Sequence, residues 1–548
     1  MIEDPAASAG TPTAASPTSA SPERATARTL ARAGLIVTSA FLVSRVLGYV
    51  RLAVITAAIP AGAERDLDAF FAAFRIPDLV FQLTAAGALS TALIPLVSGL
   101  VATGEEARAW RLGSSVTTLM VAALGALTVV LWLAAPFVVP PLVPGFEPAQ
   151  IDRTIELTRT MLLGPLFLAL GSVATSILNA RGRFAASAIA PIAYNLAIIG
   201  GALLLVPGMG VAGLAVSVVA GSLAHVLIQL GPVARVGFRF RPGVDRADPM
   251  TARAFALMAP RAIGLGGAQV TFLVMTTLAT TLAAGAVAGF TLAFTLLQIP
   301  IGVVGVPLGV VLLPSLAREA AIGDVERFGR LLTRALGLLV FVMVGMTALG
   351  IVLADAATRI LFGHGGLDET TLDATAAATA TFLLGLTAHS AIAVLARAFY
   401  ARQDTLTPVL AALAVVALDA ALAVALIGPL GLSGLALAIA VGAWVEALAL
   451  AAVLRRRIPT LSFAPVAATA ARSVPAALAA GAAAWLAGRA AAALLGADDA
   501  LVPLLLRTAT AAVAGGLVYL ALSALLRIPE LPAMADVATD LLRRRTAR

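Results

Sequence analysis

Apolar segments of roughly 20–30 residues recur along the whole chain, each long enough to cross a bilayer as a helix. Fourteen are read, at about 33–59, 68–101, 112–136, 155–179, 185–206, 211–233, 258–283, 287–315, 329–355, 374–400, 408–427, 431–454, 470–493 and 502–526. The pattern predicts an all-α polytopic membrane protein with fourteen transmembrane helices.

The polar positions between them alternate in charge. One set of loops carries Arg24, Arg28 and Arg32, then Arg108 and Arg111, Arg181 and Arg183, and Arg235 through Arg253. It continues with Arg318 through Arg334, Arg402, Arg455–Arg457 and Arg543–Arg545. The intervening loops are acidic or uncharged, with Glu64, Asp66 and Asp68, Glu147 and Asp152, Asp368, Glu369 and Asp373, and Asp498 and Asp499. Arginine-rich loops stay cytoplasmic, so an even number of spans with both termini in the cytoplasm is expected.

The chain also repeats itself at an offset of about 220 residues. Pro95, Gly104, Arg108, Arg111 and Leu112 match Pro314, Gly323, Arg327, Arg330 and Leu331 without a gap. The stretch "GVAGLAVSVVAGSLAH" from Gly210 answers "GLSGLALAIAVGAWVE" from Gly431, and the "IP" at 76–77 answers that at 299–300. Each copy holds six spans, an even number, so the two are parallel repeats related by an axis along the membrane normal. The expected organisation is a disordered cytoplasmic tail (1–32), an N-lobe (33–233), a cytoplasmic linker (234–257), a C-lobe (258–454), an added pair of spans (470–526) and a basic cytoplasmic tail (527–548). Two lobes facing a central cavity are the plan of an alternating-access transporter.

Composition narrows the chemistry. The 548 residues are 60% hydrophobic and 12% charged, with mean hydropathy +1.00. There is no cysteine, which excludes disulfides, thiolate metal sites and thiol catalysis. Three histidines, at 225, 364 and 389, are too scattered for a histidine metal site. The net charge of +8 is a topology signal rather than a nucleic-acid footprint, because it lies in the loops. No Walker A loop and no hydrolytic constellation is present, so the chain reads as a transporter rather than an enzyme. It needs no cofactor, and an ion gradient or the membrane potential would drive it.

Charges inside the apolar segments are the candidate site. A charge near the bilayer centre costs about 2.5–3.5 kcal/mol on insertion scales, so it is kept where it faces a cavity or a partner. The first segment carries Arg45 and Arg51, with Ser44 beside them; six residues is roughly 9 Å along a helix and about 120° around it. The second, "DAFFAAFRIPDLVFQLTAAGALSTALIP", adds Asp68, Arg75 and Asp78 around Pro77. Guanidinium groups are permanently charged, bidentate receptors for phosphate, so the N-lobe reads as built for an anion. Pairing of Arg51 or Arg75 with Asp68 or Asp78 is the competing structural reading. The second copy carries Arg261 in its first pair of spans, and Asp419 and Glu446 later, where either carboxylate could take a proton or Na+ as coupling ion or simply pack against a polar neighbour.

The stretches "SRVLGYVRLAVI", "DAFFAAFRIPDLVFQLTAAGALSTALIPL", "ILNARGRF", "MAPRAIGLGGAQV", "IPIGVVGVPLGVVLLPSL" and "AFYARQDTLTPV" resemble the MurJ/MviN family, in order from about residue 33 to 460. The resemblance implies the fold of the multidrug/oligosaccharidyl-lipid/polysaccharide exporter superfamily. It also implies a bacterial inner-membrane flippase that moves lipid II, the undecaprenyl-pyrophosphate-linked disaccharide-peptide, to the outer leaflet. The added spans would then form a groove for the lipid tail, and the peptidoglycan-synthesis machinery would be a neighbour alongside the phospholipid bilayer. Arg45 and Arg51 match the family's two first-span arginines, Ser44 its neighbouring serine, and Asp68 its acidic residue at the mouth of the second span. Leu52, Phe81, Ala86 and Thr295 stand where members carry charges. An ion-coupled exporter of drugs or small metabolites, a flippase of another polyprenyl-linked oligosaccharide, and a non-transporting scaffold are the alternatives.

Overall fold

The computed structural model describes residues 22–84, 88–245, 248–496 and 500–534; within these, the side chains of 22–37, 84, 88, 90–91, 257 and 259–268 are left out of account. The described chain is helical throughout its spans. The first set of helices is α1 (Pro22–Ala58), α2 (Glu64–Thr84), α3 (Ala88–Ala102), α4 (Glu106–Leu142), α5 (Pro148–Met161), α6 (Leu163–Ala180), α7 (Phe184–Leu204), the single turn α8 (Val206–Met209) and α9 (Val211–Arg235). The second set is α10 (Pro249–Ala279), α11 (Ala286–Pro300), α12 (Val306–Ile322), α13 (Val325–Phe362), α14 (Glu369–Leu383), α15 (Leu386–Ala401), α16 (Leu406–Leu430) and α17 (Leu432–Arg457). Helices α18 (Ala464–Leu495) and α19 (Leu501–Leu525) follow.

Among the described residues eleven helical segments are long and apolar enough to cross a membrane, and the pair α14–α15, bent by 46°, makes a twelfth. Helix α10 and the α2–α3 pair present shorter apolar stretches, Gln269–Ala279 and Ala92–Ala102. Helix α1 begins at Pro22, ahead of the expected start at 33. The stretch "PERATARTLAR" is rich in good helix formers, and a helix nucleated in the apolar segment propagates back through it at little cost. The rest of the expected N-terminal tail, and residues 535–548 of the C-terminal one, lie outside the described residues.

In a lipid environment helices associate by close packing of small residues and by hydrogen bonds rather than by expelling water. A Cβ at Gly213 would meet the Leu205 backbone at 2.8 Å, and one at Gly385 would meet the Ala440 Cα at 2.8 Å. In the second set a phenylalanine chain, Phe290, Phe272, Phe294 and Phe382, links α11, α10 and α14 at centroid distances of 4.6–6.2 Å.

Prolines remove ladder hydrogen bonds inside α2 and α4, and side chains take up the freed carbonyls. Pro77 has no N–H for the Ala73 carbonyl, which accepts from Thr158 Oγ1 at 3.5 Å. Pro136 likewise frees the Trp132 carbonyl, which accepts from Arg159 Nε at 3.0 Å. Between α11 and α12 residues Ile301–Gly305 form one π-helical turn, in which the Val306 N–H bonds to the Ile301 carbonyl. The Gly302 carbonyl would then need the N–H of residue 307, which is a proline, so it is left free.

Candidate anion-binding site

That free carbonyl meets the first candidate arginine. Arg45 Nη1 donates to it at 3.2 Å, and the space is available only because residue 302 has no side chain; a Cβ there would overlap the guanidinium. Arg45 also lies over the Phe41 ring at 5.7 Å. No carboxylate pairs with it among the described residues. Beside it Asn195 Nδ2 donates to the Ser44 carbonyl at 3.1 Å, tying α1 to α7. A cavity of about 540 Å³ opens here, lined by Phe41, Ser44, Arg45, Thr175, Asn179 and Phe184.

Arg51, two turns along α1, stacks on Tyr194 at 5.6 Å, and its buried Nε has no hydrogen-bond partner. Arg75, from α2, donates through Nη2 to Thr291 Oγ1 at 2.7 Å and lies over Phe272 at 5.4 Å; its Nε is buried and unpartnered too. Asp78, one turn on, accepts from the side chains of Gln82 and Gln269 and feels the charges of both Arg75 and Arg51. The structure thus gathers Arg51, Arg75 and Asp78 where α1, α2, α7, α10 and α11 meet, two guanidiniums to one carboxylate, while Arg45 stands apart at the π turn and its cavity. Buried guanidinium donors in that excess are a receptor for an anion with several acceptor oxygens.

Asp68 is not part of this cluster. It is 2% exposed, and its two carboxylate oxygens accept from the backbone N–H groups of Gly285 (2.7 Å) and Ala288 (2.8 Å). It therefore caps the first turn of α11 from a different helix, where orphan N–H groups and the helix dipole favour a carboxylate. Gly285, at φ +88°, supplies the left-handed residue that turns those N–H groups towards it. Neither Arg51 nor Arg75 forms an ion pair with it among the described residues. The side chain of Arg261 lies outside the described residues. Thr295 bonds back to the Thr291 carbonyl at 2.8 Å, while Phe81 packs against the apolar cluster of α3, α4 and α6.

Asp419 and Glu446 do come together, on α16 and α17. Asp419 is 5% exposed, faces Gly442 across the helix pair, and has a buried Oδ1 without a hydrogen-bond partner; Glu446 is one turn beyond Gly442 and near enough to act on it electrostatically. No group of three histidine, aspartate or glutamate side chains suited to a metal is present among the described residues.

Four site residues carry no signal that sequence reading could use: Tyr194, Thr291, Phe272 and Gly302. Each acts through a ring face, a hydroxyl or a backbone carbonyl supplied by a remote helix. The one visible hint is the glycine-and-proline run "PIGVVGVPLG" around the π turn.

Residues 58–497 match the family model described as lipid II flippase MurJ. The lipid II flippase MurJ of Burkholderia cenocepacia is 32% identical over 437 residues, covering 78% of this chain and 84% of that protein. A protein of Rhizobium meliloti named probable lipid II flippase MurJ is 32% identical over 430 residues, 76% of this chain and 79% of that one. Among solved structures, a lipid II flippase MurJ in an inward closed conformation superposes with a TM-score of 0.73 at 20% identity, covering 90% of this chain and 98% of that one. An inward-facing multidrug transporter of the MATE family gives 0.67 at 15% identity, over 76% and 95% of the two chains; at these identities the structures speak to fold alone. The family match runs through both sets of helices, and the chain belongs to the lipid II flippase MurJ family.

Proposed function

We propose that this protein moves lipid II from the cytoplasmic to the outer leaflet of the bacterial inner membrane by alternating access, with Arg45, Arg51 and Arg75 receiving the pyrophosphate. The observation that carries the proposal is a pair of guanidiniums, Arg51 and Arg75, with free buried donors and one carboxylate between them, together with Arg45 lining a 540 Å³ cavity. A pyrophosphate offers many acceptor oxygens, and charge-assisted bonds to guanidiniums offset part of its desolvation. Ser44 stands beside the cavity, Asp78 orients the arginines, and Asp68 serves the site indirectly by fixing α11. Arg261 remains a candidate contact. No bond is made or broken, so no catalytic residue is assigned.

The body of the transporter is read as fourteen spans: two parallel six-span lobes, a linker near 234–257, and the pair α18–α19 as a tail groove. Matching helix neighbours support the two lobes. Helices α2 and α5, α3 and α6, α6 and α9, and α7 and α9 touch in the first set; α11 and α14, α12 and α15, α15 and α17, and α16 and α17 touch in the second. The repair bonds correspond as well: Thr128 donates to the Leu162 carbonyl and Thr347 to the Leu383 carbonyl, both at 3.3 Å. Both termini are placed in the cytoplasm, on the side of the arginine-rich loops. An ion gradient or the membrane potential supplies the drive, with Asp419 and Glu446 as the coupling-ion site.

The test is lipid II flipping in proteoliposomes, with membrane abundance followed in parallel. Arg45→Ala abolishes transport and Arg45→Lys, which keeps charge but loses the planar fork, retains part of it. Full activity in Arg45→Ala overturns the assignment.

A further inference from the structure

A second polar chamber lies where the added pair α18 and α19 packs on α13. Its outer walls are apolar: Phe341, Ala476, Ala477, Ala480, Tyr519 and Ile528 form one buried cluster. Inside it stand a carboxylate and four hydroxyls. Glu530, just beyond α19, accepts through Oε1 from Thr469 Oγ1 at 2.6 Å and lies against Gly337 of α13. Tyr519 donates to the Phe341 carbonyl at 2.5 Å, one turn along α13 from Gly337, and Ser473 lies beside its phenol. Ser473 is one turn beyond Thr469 on α18, and Ser523 is one turn beyond Tyr519 on α19, towards Glu530.

Two oxygens of this chamber, Glu530 Oε2 and Ser523 Oγ, are buried without a hydrogen-bond partner, and Ser473 Oγ has only the Tyr519 phenol within reach. Both serines are 0% exposed. Three other buried serines return their hydroxyl to the carbonyl one turn back, Ser217 to Gly213, Ser222 to Val218 and Ser176 to Ser172, while Ser390 does not. Ser473 and Ser523 do not, so their oxygens serve the chamber rather than their own helices. No arginine forms an ion pair with Glu530 among the described residues.

We propose that the chamber binds a small monovalent cation of the Na+ class, with Glu530, Ser473, Ser523 and Thr469 as oxygen ligands. Hard cations take carboxylate and hydroxyl oxygens, and a lone carboxylate with neutral hydroxyls balances one positive charge. A divalent ion would leave an uncompensated charge in a low-dielectric site, which disfavours it. The ion ties the end of α19 to α18 and α13, a role independent of the transport reading.

The probe is Na+ itself, applied to the full chain carrying Asp419→Asn and Glu446→Gln, so that those carboxylates contribute nothing. Thermal unfolding in NaCl is compared with choline chloride at equal ionic strength, alongside radioactive 22Na+ binding. The expected result is a saturable rise of the midpoint with Na+ and stoichiometric 22Na+ binding. Both vanish in Glu530→Gln, and the Na+ concentration needed rises severalfold in Ser523→Ala. If Glu530→Gln fails to fold, Ser523→Ala and Ser473→Ala decide, since each removes a ligand without changing charge. Absence of any Na+ effect means that the chamber holds only water and overturns the proposal. So does Na+ binding that is unchanged in Glu530→Gln or in both serine variants.

Discussion

Two acidic residues of α2, ten apart, do different work because of what faces them. Asp78 meets two amide side chains and two guanidiniums, whereas Asp68 meets only backbone N–H groups of α11. Asp68→Ala removes an N-cap from another helix, a loss of about 0.5–2 kcal/mol in ordinary caps. The expected outcome is a lower thermal midpoint and faster amide exchange at Gly285 and Ala288. Asp68→Asn keeps one acceptor oxygen and should fall between. Gly302→Ala acts on the neighbouring site: the added methyl displaces the Arg45 guanidinium, so lipid II transport drops towards that of Arg45→Lys while abundance holds. Arg45 and Arg51 were legible as candidates because a charge in an apolar segment is itself the signal, and of the two, Arg45 lines a cavity. The partner of Asp68 was not, since backbone N–H groups leave no trace in residue identity.

At the level of elements, hydropathy places the apolar segments on helices, and Pro77 foretells a local break. The π turn and the division of 155–179 into α5 and α6 have no comparable signature, because each depends on a side chain from elsewhere that satisfies the freed carbonyl. Helix α10 shows how a loop settles an element. Arg108 holds Asp248 with two bonds, Nε to Oδ2 at 2.7 Å and Nη2 to Oδ1 at 3.0 Å, and Asp248 in turn caps Met250 N. Ser114, Ser115 and Thr118 of α4 accept from the linker N–H groups of Arg241, Asp245 and Gly243. The hydrogen bonds from Arg108 lower the Asp248 carboxyl from 3.8 to about 2. A depressed carboxyl adds stability that is complete above its unfolded value near 3.8 and fades as pH falls towards 2. Amide protection in the first turn of α10 should therefore hold at pH 5 and weaken below about 4. In Asp248→Asn that pH dependence disappears.

Across the whole molecule, several bonds between the first and second sets of helices gather at the end carrying the acidic loops. Gly366 N donates to the Thr56 carbonyl at 2.9 Å, Gly145 N to Thr280 Oγ1 at 3.3 Å, and Asp68 accepts from α11. Alternating access requires these contacts to part. The absence of cysteine makes the test clean: Ile59→Cys with Gly366→Cys places two thiols where the chains touch, since a Cβ at Gly366 would lie 3.0 Å from the Ile59 Cβ, within a small shift of disulfide geometry. Oxidation should stop lipid II flipping and reduction should restore it; unimpaired flipping in the cross-linked protein would mean that this end never opens.

The resting place of Arg45 bears on how the transporter meets its surroundings. A guanidinium parked on a neutral carbonyl keeps its full electrostatic reach, whereas one locked to a carboxylate would present almost none. On the proposed assignment, an arriving pyrophosphate displaces a single dipole and separates no ion pair. The same arrangement leaves the vestibule open to whatever small anions the cell supplies, chloride and inorganic phosphate among them. Occupancy by lipid II is thus a competition, and its apparent affinity should weaken as ionic strength rises, since screening acts on an unpaired charge in a wet vestibule far more than on a buried pair.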